Sequence, residues 1–322
     1  MSSMTSEETG RLARQAALRA CWTQWVGMGS FASPVGSRRA EAIIDPEALI
    51  LLSLYARDEE RRLLDMAAWW ARAGSRLTSL QRLRAVAKRF PGNTGQVGLE
   101  VFASLAAKSG DRRWAKDAKA QIPEVVRHGK GPDEPTLIEA SALWPRLRAA
   151  FGVGAKADTL VFLVGLRGAW ASTKVISFAT GYSSVTIRKA ASEMSMARLI
   201  RETDGRPVEY VAPAHPWAEL LELNPAEQGK TDPPGAPAFR FWSEIFAFLV
   251  SASEWSRLAQ SEGGQRQHVL ASRARDVVER YALAFNSNGI LTPSMDAFRG
   301  LEAAQGLHET VRVVAGWVDE NV

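Results

Sequence analysis

Residues 171–212 read ASTKVISFATGYSSVTIRKAASEMSMARLIRETDGRPVEYVA, and they hold the densest set of structural signals in the chain. Ser172 and Ser183 each precede a short run with apolar residues at helical spacing, as helix-capping serines do. Between the two runs, Gly181 suits a sharp turn, because glycine accepts a left-handed backbone that other residues avoid. The pattern predicts a short helix over Thr173–Thr180, a tight turn and a second helix after Ser183.

The chain on both sides of these helices also has a pattern. Upstream, Leu160 and Val164 have the spacing of a core-packed helix, and Gly168 can end it. Residues 169–171 are short enough for one strand or an extended link. Downstream of Leu199, apolar and polar residues alternate, and Asp204-Gly205 is a hairpin turn signal. We therefore expect a helix before the pair and a two-stranded ribbon after it.

The helix after Ser183 has two different faces. One face is apolar and should pack on the preceding helices; it holds Ile187, Ala190, Ala191 and Met194. The opposite face should meet solvent; it holds Val185, Arg188, Lys189, Ser192 and Met196, with Ser184 and Thr186 in the first turn.

This order of elements over Lys156–Ala212 resembles the winged helix-turn-helix of bacterial transcription regulators, which recurs in the MarR and ArsR types. The resemblance is carried by Ile176-Ser177 through Ser183, by Thr186-Ile187-Arg188-Lys189, and by Leu199-Ile200-Arg201 leading into Asp204-Gly205-Arg206. It implies a helix that enters the major groove of double-stranded DNA and a wing that reaches the backbone or the minor groove.

The resemblance also implies which residues touch DNA. The start of the second helix would bring base-reading and phosphate-binding groups into the groove, and the backbone N–H groups of Ser183 and Ser184 would suit a phosphate. On the wing, Arg201 and Arg206 would bind the backbone or an adjacent minor groove. The predicted DNA-binding residues are Ser183, Ser184, Val185, Thr186, Arg188, Lys189, Arg201 and Arg206.

Composition divides the chain into four parts of a mainly α protein. Residues 129–135 are rich in glycine and proline, and five prolines lie between His215 and Ala238. We predict an N-terminal helical domain (1–135), the winged helix-turn-helix domain (136–213), a proline-rich linker (214–238) and a C-terminal helical domain (239–322).

The outer segments have helical periodicity. Asp45 should cap a helix that begins at Pro46, with a break at Gly74-Ser75 and an end at residues 91–93. A further helix is predicted over Val97–Lys119. The C-terminal segment predicts three amphipathic helices, at Phe239–Gln260, Gln265–Asn286 and Pro293–Val318. These last helices could hold a dimer interface or an effector cavity, or form a self-contained bundle.

The net charge of +5 is unevenly distributed. Residues 1–136 carry +6 and residues 137–213 carry +4, whereas the remaining two segments are negative. A polyanion site should therefore lie in the first two segments. The predicted helix Arg76–Arg89 has five basic residues, and no acidic residue occurs from Ala67 to Leu99. It is either a second nucleic-acid surface or a solvated helix face.

Several function classes find little support in the sequence. A single cysteine, Cys21, allows neither an internal disulfide nor a cysteine-based zinc site, and four scattered histidines form no metal or catalytic motif. No nucleotide-binding or nucleophile motif is complete. Apolar runs are too short to span a bilayer, and no secretion signal is apparent. We expect no cofactor, no metal, no enzymatic activity, no membrane association and a cytoplasmic location.

The leading hypothesis is a sequence-specific regulator of transcription that binds double-stranded DNA, of the repressor type and acting as a homodimer. The alternative is a protein-interaction module with a protein partner, such as the antitoxin of a toxin pair, with or without autoregulation of its operon.

Overall fold

The computed structural model describes residues 3–30, 40–122, 132–223, 236–261 and 266–322. Within these ranges the chain forms thirteen α-helices and one small antiparallel sheet of three strands. The prediction of a mainly α protein with a small β component is confirmed.

The N-terminal segment forms five helices, which are α1 (Ser3–Gly27), α2 (Pro46–Ala56), α3 (Arg62–Ala73), α4 (Leu80–Ala87) and α5 (Thr94–Lys108). The predicted cap is confirmed, because Asp45 Oδ1 accepts a hydrogen bond from the Ala48 N–H at 3.0 Å. The break at Gly74-Ser75 is also confirmed, but the predicted helix is in addition interrupted at residues 57–61, between α2 and α3. The predicted helix through Lys119 is wrong, since α5 ends at Lys108 and Gly110 has a left-handed φ of +100°.

The middle segment forms α6 (Leu143–Phe151), α7 (Ala155–Gly165), β1 (Ala171–Ser172), α8 (Thr173–Thr180), α9 (Ser184–Met196), β2 (Arg201–Glu202), β3 (Glu209–Val211) and α10 (Ala214–Leu220). The strands lie in the order β1, β3, β2, and both pairings are antiparallel. Ala171 pairs with Tyr210, and Arg201 pairs with Val211. The two predicted helices and the ribbon are therefore present.

Helix α10 lies inside the segment predicted to be a linker. Its Pro216 occupies the first helical turn, where a missing N–H removes no helical hydrogen bond. Trp217 is buried, and its indole N–H donates to the Leu199 carbonyl at 2.9 Å. The start of the predicted linker is thus folded against the sheet, while its residues 224–235 lie outside the described residues.

The C-terminal segment forms α11 (Trp242–Ser261), α12 (Gln267–Ser287) and α13 (Ala303–Asn321). The first two match their predictions closely. The third helix begins ten residues later than the predicted Pro293, because two short 3-10 turns, Met295–Ala297 and Gly300–Glu302, occupy the intervening chain.

The buried apolar side chains form two cores. The first joins the N-terminal helices to the C-terminal ones, and α1 packs along both α11 and α13. The three C-terminal helices therefore do not form a bundle of their own. The second core lies among α6 to α9 and the sheet, and Phe239 and Phe241 extend into it. The predicted domain limits at residues 135, 213 and 238 remain predictions.

A buried network of five charged side chains lies where the two cores meet. Arg82 of α4 donates to both oxygens of Asp45 at 2.6 Å and to Glu47 at 2.8 Å. Arg148 of α6 donates to Glu47 at 2.6 Å and to Asp158 of α7 at 2.7 Å and 2.8 Å. None of the five side chains is more than 2% exposed. The network joins the N-terminal helices to the middle segment.

An aromatic ring and close ion pairing stabilise these ions. The Trp144 ring lies 4.1 Å from the Arg82 guanidinium, and its indole N–H donates to Asp158 at 2.8 Å. Burial alone would raise the pKa of the Asp45 carboxyl, but the charge and hydrogen bonds of Arg82 hold that pKa below its ordinary value. Asp45 therefore remains ionised while buried.

Arg82→Ala should lower the free energy of unfolding by about 3–5 kcal/mol, because it leaves three buried carboxylates with one arginine and removes the ion-pair partner of Asp45. Urea or thermal denaturation followed by circular dichroism measures this. The matched control is Arg84→Ala on the same helix, which removes a surface pair with Asp117 and should cost less than about 1 kcal/mol. Equal losses in the two variants would contradict the assigned role of the network.

Candidate nucleic-acid interface

Three local features fix the two ends of α8 and the start of α9. Ser172 caps α8 by accepting from the Val175 N–H at 3.4 Å, and Ser183 caps α9 by accepting from the Thr186 N–H at 3.2 Å. Gly181 ends α8 with a φ of +78°. Both predicted caps and the predicted turn are confirmed.

Helix α9 buries one face and presents the other. Ile187, Ala190, Ala191 and Met194 are buried, and the helix packs on α7 and α8. The opposite face is exposed, as predicted, with Val185 at 75% and Met196 at 81% of full exposure. An exposed valine beside exposed cations has no role in the core, so this face is available for a ligand.

The predicted contact residues all lie at the surface. Ser183, Ser184, Val185, Thr186, Arg188 and Lys189 are exposed at the first half of α9 and its cap, and Arg201 and Arg206 are exposed on β2 and the loop that follows it. The hydroxyls of Ser183 and Thr186 hydrogen-bond each other at 2.8 Å, so both already have a partner within the cap.

The cations of this surface form no ion pair with the described residues. Within the described ranges, no carboxylate lies within 4.0 Å of Arg188, Lys189, Arg201 or Arg206. At the far end of the exposed face, Glu193 pairs with Lys156 of α7 at 2.7 Å. The hairpin also exposes acidic groups, so its field is weaker than its arginines alone would give. The first half of α9 therefore presents two exposed cations, Arg188 and Lys189, and no acidic side chain.

Helix α4 holds the turn between α8 and α9. Tyr182 is buried, and its hydroxyl lies 3.3 Å from Ser79 Oγ at the start of α4. At the other end, Arg89 donates to the Phe178 carbonyl of α8 at 2.8 Å and pairs with Glu244 of α11 at 3.0 Å. Burial raises the pKa of the Tyr182 phenol well above its ordinary value, so it remains neutral.

The sequence did not indicate these positioning residues. Tyr182 reads only as a turn residue, and Arg89 as one cation among five on a helix. Their partners, Ser79 and Glu244, are 103 and 155 residues away in the chain. No local pattern encodes such contacts.

The predicted basic helix Arg76–Arg89 requires correction. Residues 75–77 form a 3-10 turn, and α4 begins only at Leu80. Arg82 is fully buried in the ion network, and Arg89 is mostly buried against α8 and α11, so neither belongs to a solvated face. Arg76 pairs with Glu134 and Arg84 with Asp117, which leaves Lys88 as the exposed cation without an ion pair among the described residues.

Other chemistry finds no assembled site in the described part of the chain. No group of three histidine, cysteine or acidic side chains is placed there to hold a metal ion. Cys21 is buried, and burial raises the pKa of its thiol to about 12, so it is not a thiolate nucleophile. His308 hydrogen-bonds Thr9 between α13 and α1 at 3.0 Å. None of the described helices has the length and apolar character that crossing a bilayer requires.

Compared with protein families, characterised proteins and solved structures, the chain shows no match. The residues and geometry of the chain itself are therefore the basis for assigning its function.

Gly181→Ala should destabilise the protein by about 1–2 kcal/mol, because an L-residue is strained at a left-handed backbone position. The added methyl would also lie 3.4 Å from Ala85 Cβ of α4. Chemical denaturation measures the loss.

The matched control is Gly205→Ala in the hairpin loop, where an added methyl meets nothing within 4 Å and the backbone is not left-handed. It should change stability by less than about 0.5 kcal/mol. A neutral Gly181→Ala would contradict the assigned turn geometry.

Proposed function

We propose that α7 through β3 form a winged helix-turn-helix and that the chain is a sequence-specific, double-stranded-DNA-binding regulator of transcription, of the repressor type. The order of helix, strand, helix, helix and two-stranded ribbon supports this, as does the β1, β3, β2 order of the sheet. The single observation that carries the proposal is the exposed, capped first half of α9 with two unpaired cations, Arg188 and Lys189.

Helix α9 suits the major groove in size and chemistry. An α-helix with its side chains is about as wide as that groove, so the first turns of α9 can approach base edges. Arg188 can donate two hydrogen bonds to guanine, and Val185 can contact a thymine methyl group. Lys189 and Ser184 lie beside them and can bind flanking phosphates.

The ribbon supplies a second contact. Arg201 on β2 and Arg206 in the following loop are exposed and unpaired among the described residues, so both can bind phosphate or enter an adjacent minor groove. Glu202 and Asp204 beside them are also exposed, and they oppose general attraction to a polyanion. Base contacts, rather than bulk charge, should therefore determine which sequence is bound.

A homodimer completes the proposal. Two-fold proteins read two half-sites one helical turn apart, and a single short recognition helix gains affinity and specificity by duplication. A cytoplasmic location and the lack of enzymatic activity are parts of the same hypothesis.

Replacing Arg188 and Lys189 together with alanine should abolish specific duplex binding without changing thermal stability, because both side chains are exposed and make no ion pair among the described residues. The measurement is a gel shift or fluorescence anisotropy titration on duplexes selected with the wild-type protein, including its own upstream region, at several salt concentrations. Arg188→Ala alone should lower the binding free energy for the selected duplex by about 1–3 kcal/mol and relax the preference at one base position. It should change the binding of other sequences little.

The charge-matched control is Arg273→Ala with Arg299→Ala, two exposed cations on and beyond α12 with no ion pair among the described residues. This control should bind the selected duplex like the wild type. Equal binding by the Arg188/Lys189 variant and the wild type would refute the proposed interface.

A second candidate function, a protein-interaction module, is favoured by one observation. A groove of about 640 Å³ lies between the end of α9, β2 and α10, and its lining includes Leu199, Trp217 and Leu220. Leu220 is 70% exposed at the edge of this groove, so its side chain is accessible to a partner that fills the groove.

Under this second candidate, products of neighbouring genes should co-purify with the wild-type protein, and Leu220→Glu should release them while leaving duplex binding intact. Leu283→Glu on α12, at 63% exposure, is the matched control. Capture unchanged by Leu220→Glu would exclude this groove as the docking site.

A further inference from the structure

We propose that the DNA-binding surface extends from α9 onto the exposed edge of α4, where Lys88, assisted by Arg84, contacts phosphates flanking the bases that α9 reads. This inference rests on the proposed function and names a second element that binds the same duplex. The juxtaposition that carries it is the packing of α4 along the turn between α8 and α9.

Contacts along the whole length of α4 fix its position beside that turn. Its cap Ser79 meets the Tyr182 hydroxyl at 3.3 Å, and Ala85 lies next to Gly181, where an added Cβ would be 3.4 Å from the alanine methyl. Just after its last turn, Arg89 donates to the Phe178 carbonyl at 2.8 Å. Helix α4 therefore runs alongside the residues that lead into the recognition helix.

The exposed edge of α4 lies on the side of the helix where Ala85 meets Gly181. Gln81 precedes Ala85 by four residues and Lys88 follows it by three, so the three side chains share one helix face. Gln81, Arg84 and Lys88 are exposed, whereas Ala85 between them is half-buried against the turn. The polar side chains thus lie on the surface that borders the start of α9.

The chemistry of this edge fits a phosphate backbone rather than bases. Lysine is a flexible point charge, which binds phosphate without a fixed geometry. Lys88 has no ion pair among the described residues, and the sequence has no acidic residue from Ala67 to Leu99. Arg84 pairs with Asp117 at 2.6 Å, so its charge is partly offset and Lys88 should contribute more.

The location also agrees with how a recognition helix docks. The first turn of such a helix enters the groove, so the chain just before it lies near the backbone that borders the groove. That chain is Gly181-Tyr182, to which α4 is attached. A cation on α4 is therefore placed beside flanking phosphates.

Lys88→Ala should weaken binding about threefold to tenfold at low salt on specific and nonspecific duplexes alike, since a phosphate contact carries no sequence information. The plot of log affinity against log salt should become shallower by about 0.9 for the lost contact. The measurement is anisotropy at four or more salt concentrations on the duplex selected with the wild type.

Arg299→Ala is the matched control. Arg299 lies just before the start of α13, a helix about 28 Å long. At the other end of α13, Asn321 accepts a hydrogen bond from Arg240, near the middle segment. Arg299 is therefore at the end of α13 that is remote from this contact. Its affinity and salt slope should equal those of the wild type.

A proximity measurement tests the same contact without relying on a change in binding affinity. Cys21 is the single cysteine and is buried with a raised pKa, so a thiol reagent should label only a cysteine introduced at the surface. Lys88→Cys carrying an iron chelate should cleave the DNA backbone just outside the bases protected by α9, whereas Arg299→Cys carrying the same chelate should not.

The outcomes separate the two proposals. Unchanged affinity and salt slope for Lys88→Ala, with no cleavage from Lys88→Cys, would overturn the α4 contact while loss of binding by the Arg188/Lys189 variant still supports α9. A wild-type protein that binds no duplex would refute the proposed function and this inference together. Reduced slope together with flanking cleavage would support both.

Discussion

The rest of the structure depends on the buried ion network of Asp45, Glu47, Asp158, Arg82 and Arg148. Three carboxylates and two guanidinium groups lose their hydration together, and only close pairing offsets that loss. Each arginine bridges two carboxylates, and Glu47 is shared between both arginines. The partners belong to α2 with its cap Asp45, and to α4, α6 and α7. Moving any one of these helices would therefore leave a buried charge without its partner.

Such a network is a poor means of gaining stability but a good means of fixing geometry. Apolar side chains of similar volume often stabilise a protein as well as buried ions do, whereas forked hydrogen bonds accept only one arrangement of their partners. In this chain the arrangement sets α4 and α7 relative to each other. Those helices then set the turn at Tyr182 and the packing face of α9. The proposed recognition helix is thus oriented by contacts that lie in the protein interior.

Local sequence was sufficient for the elements that carry the proposed site. Ser172, Gly181 and Ser183 act within four residues of their own positions, so capping and turn preferences predicted both ends of α8 and the start of α9. The exposed face of α9 followed from helical periodicity. Periodicity and fold do not determine whether that face binds DNA, because binding depends on the contacts that its side chains make with a partner.

Sequence reasoning failed where contacts are distant. Arg82 reads as a surface cation, and its burial follows only from carboxylates 35 and 37 residues upstream. The C-terminal helices were predicted as a separate unit, because an apolar helix face does not show which helix packs against it. In the structure, α1, more than 200 residues away in the chain, packs on α11 and α13. The proline content of residues 214–238 likewise concealed α10, since proline in a first helical turn resembles a linker residue.

The contacts that join the two cores also limit how the middle segment could move. Phe239 and Phe241 pack in the second core, while Trp242, which follows at once, belongs to the first. The Trp242 indole donates to the Ile43 carbonyl at 2.9 Å, and the Phe239 N–H donates to the Gly165 carbonyl at 3.0 Å. Swinging the middle segment away from the other helices would break the bond between Phe239 and Gly165 together with the ion pairs of Arg148. The geometry therefore favours a middle segment that binds its partner as one unit with the helices around it, rather than as an independent domain on a tether.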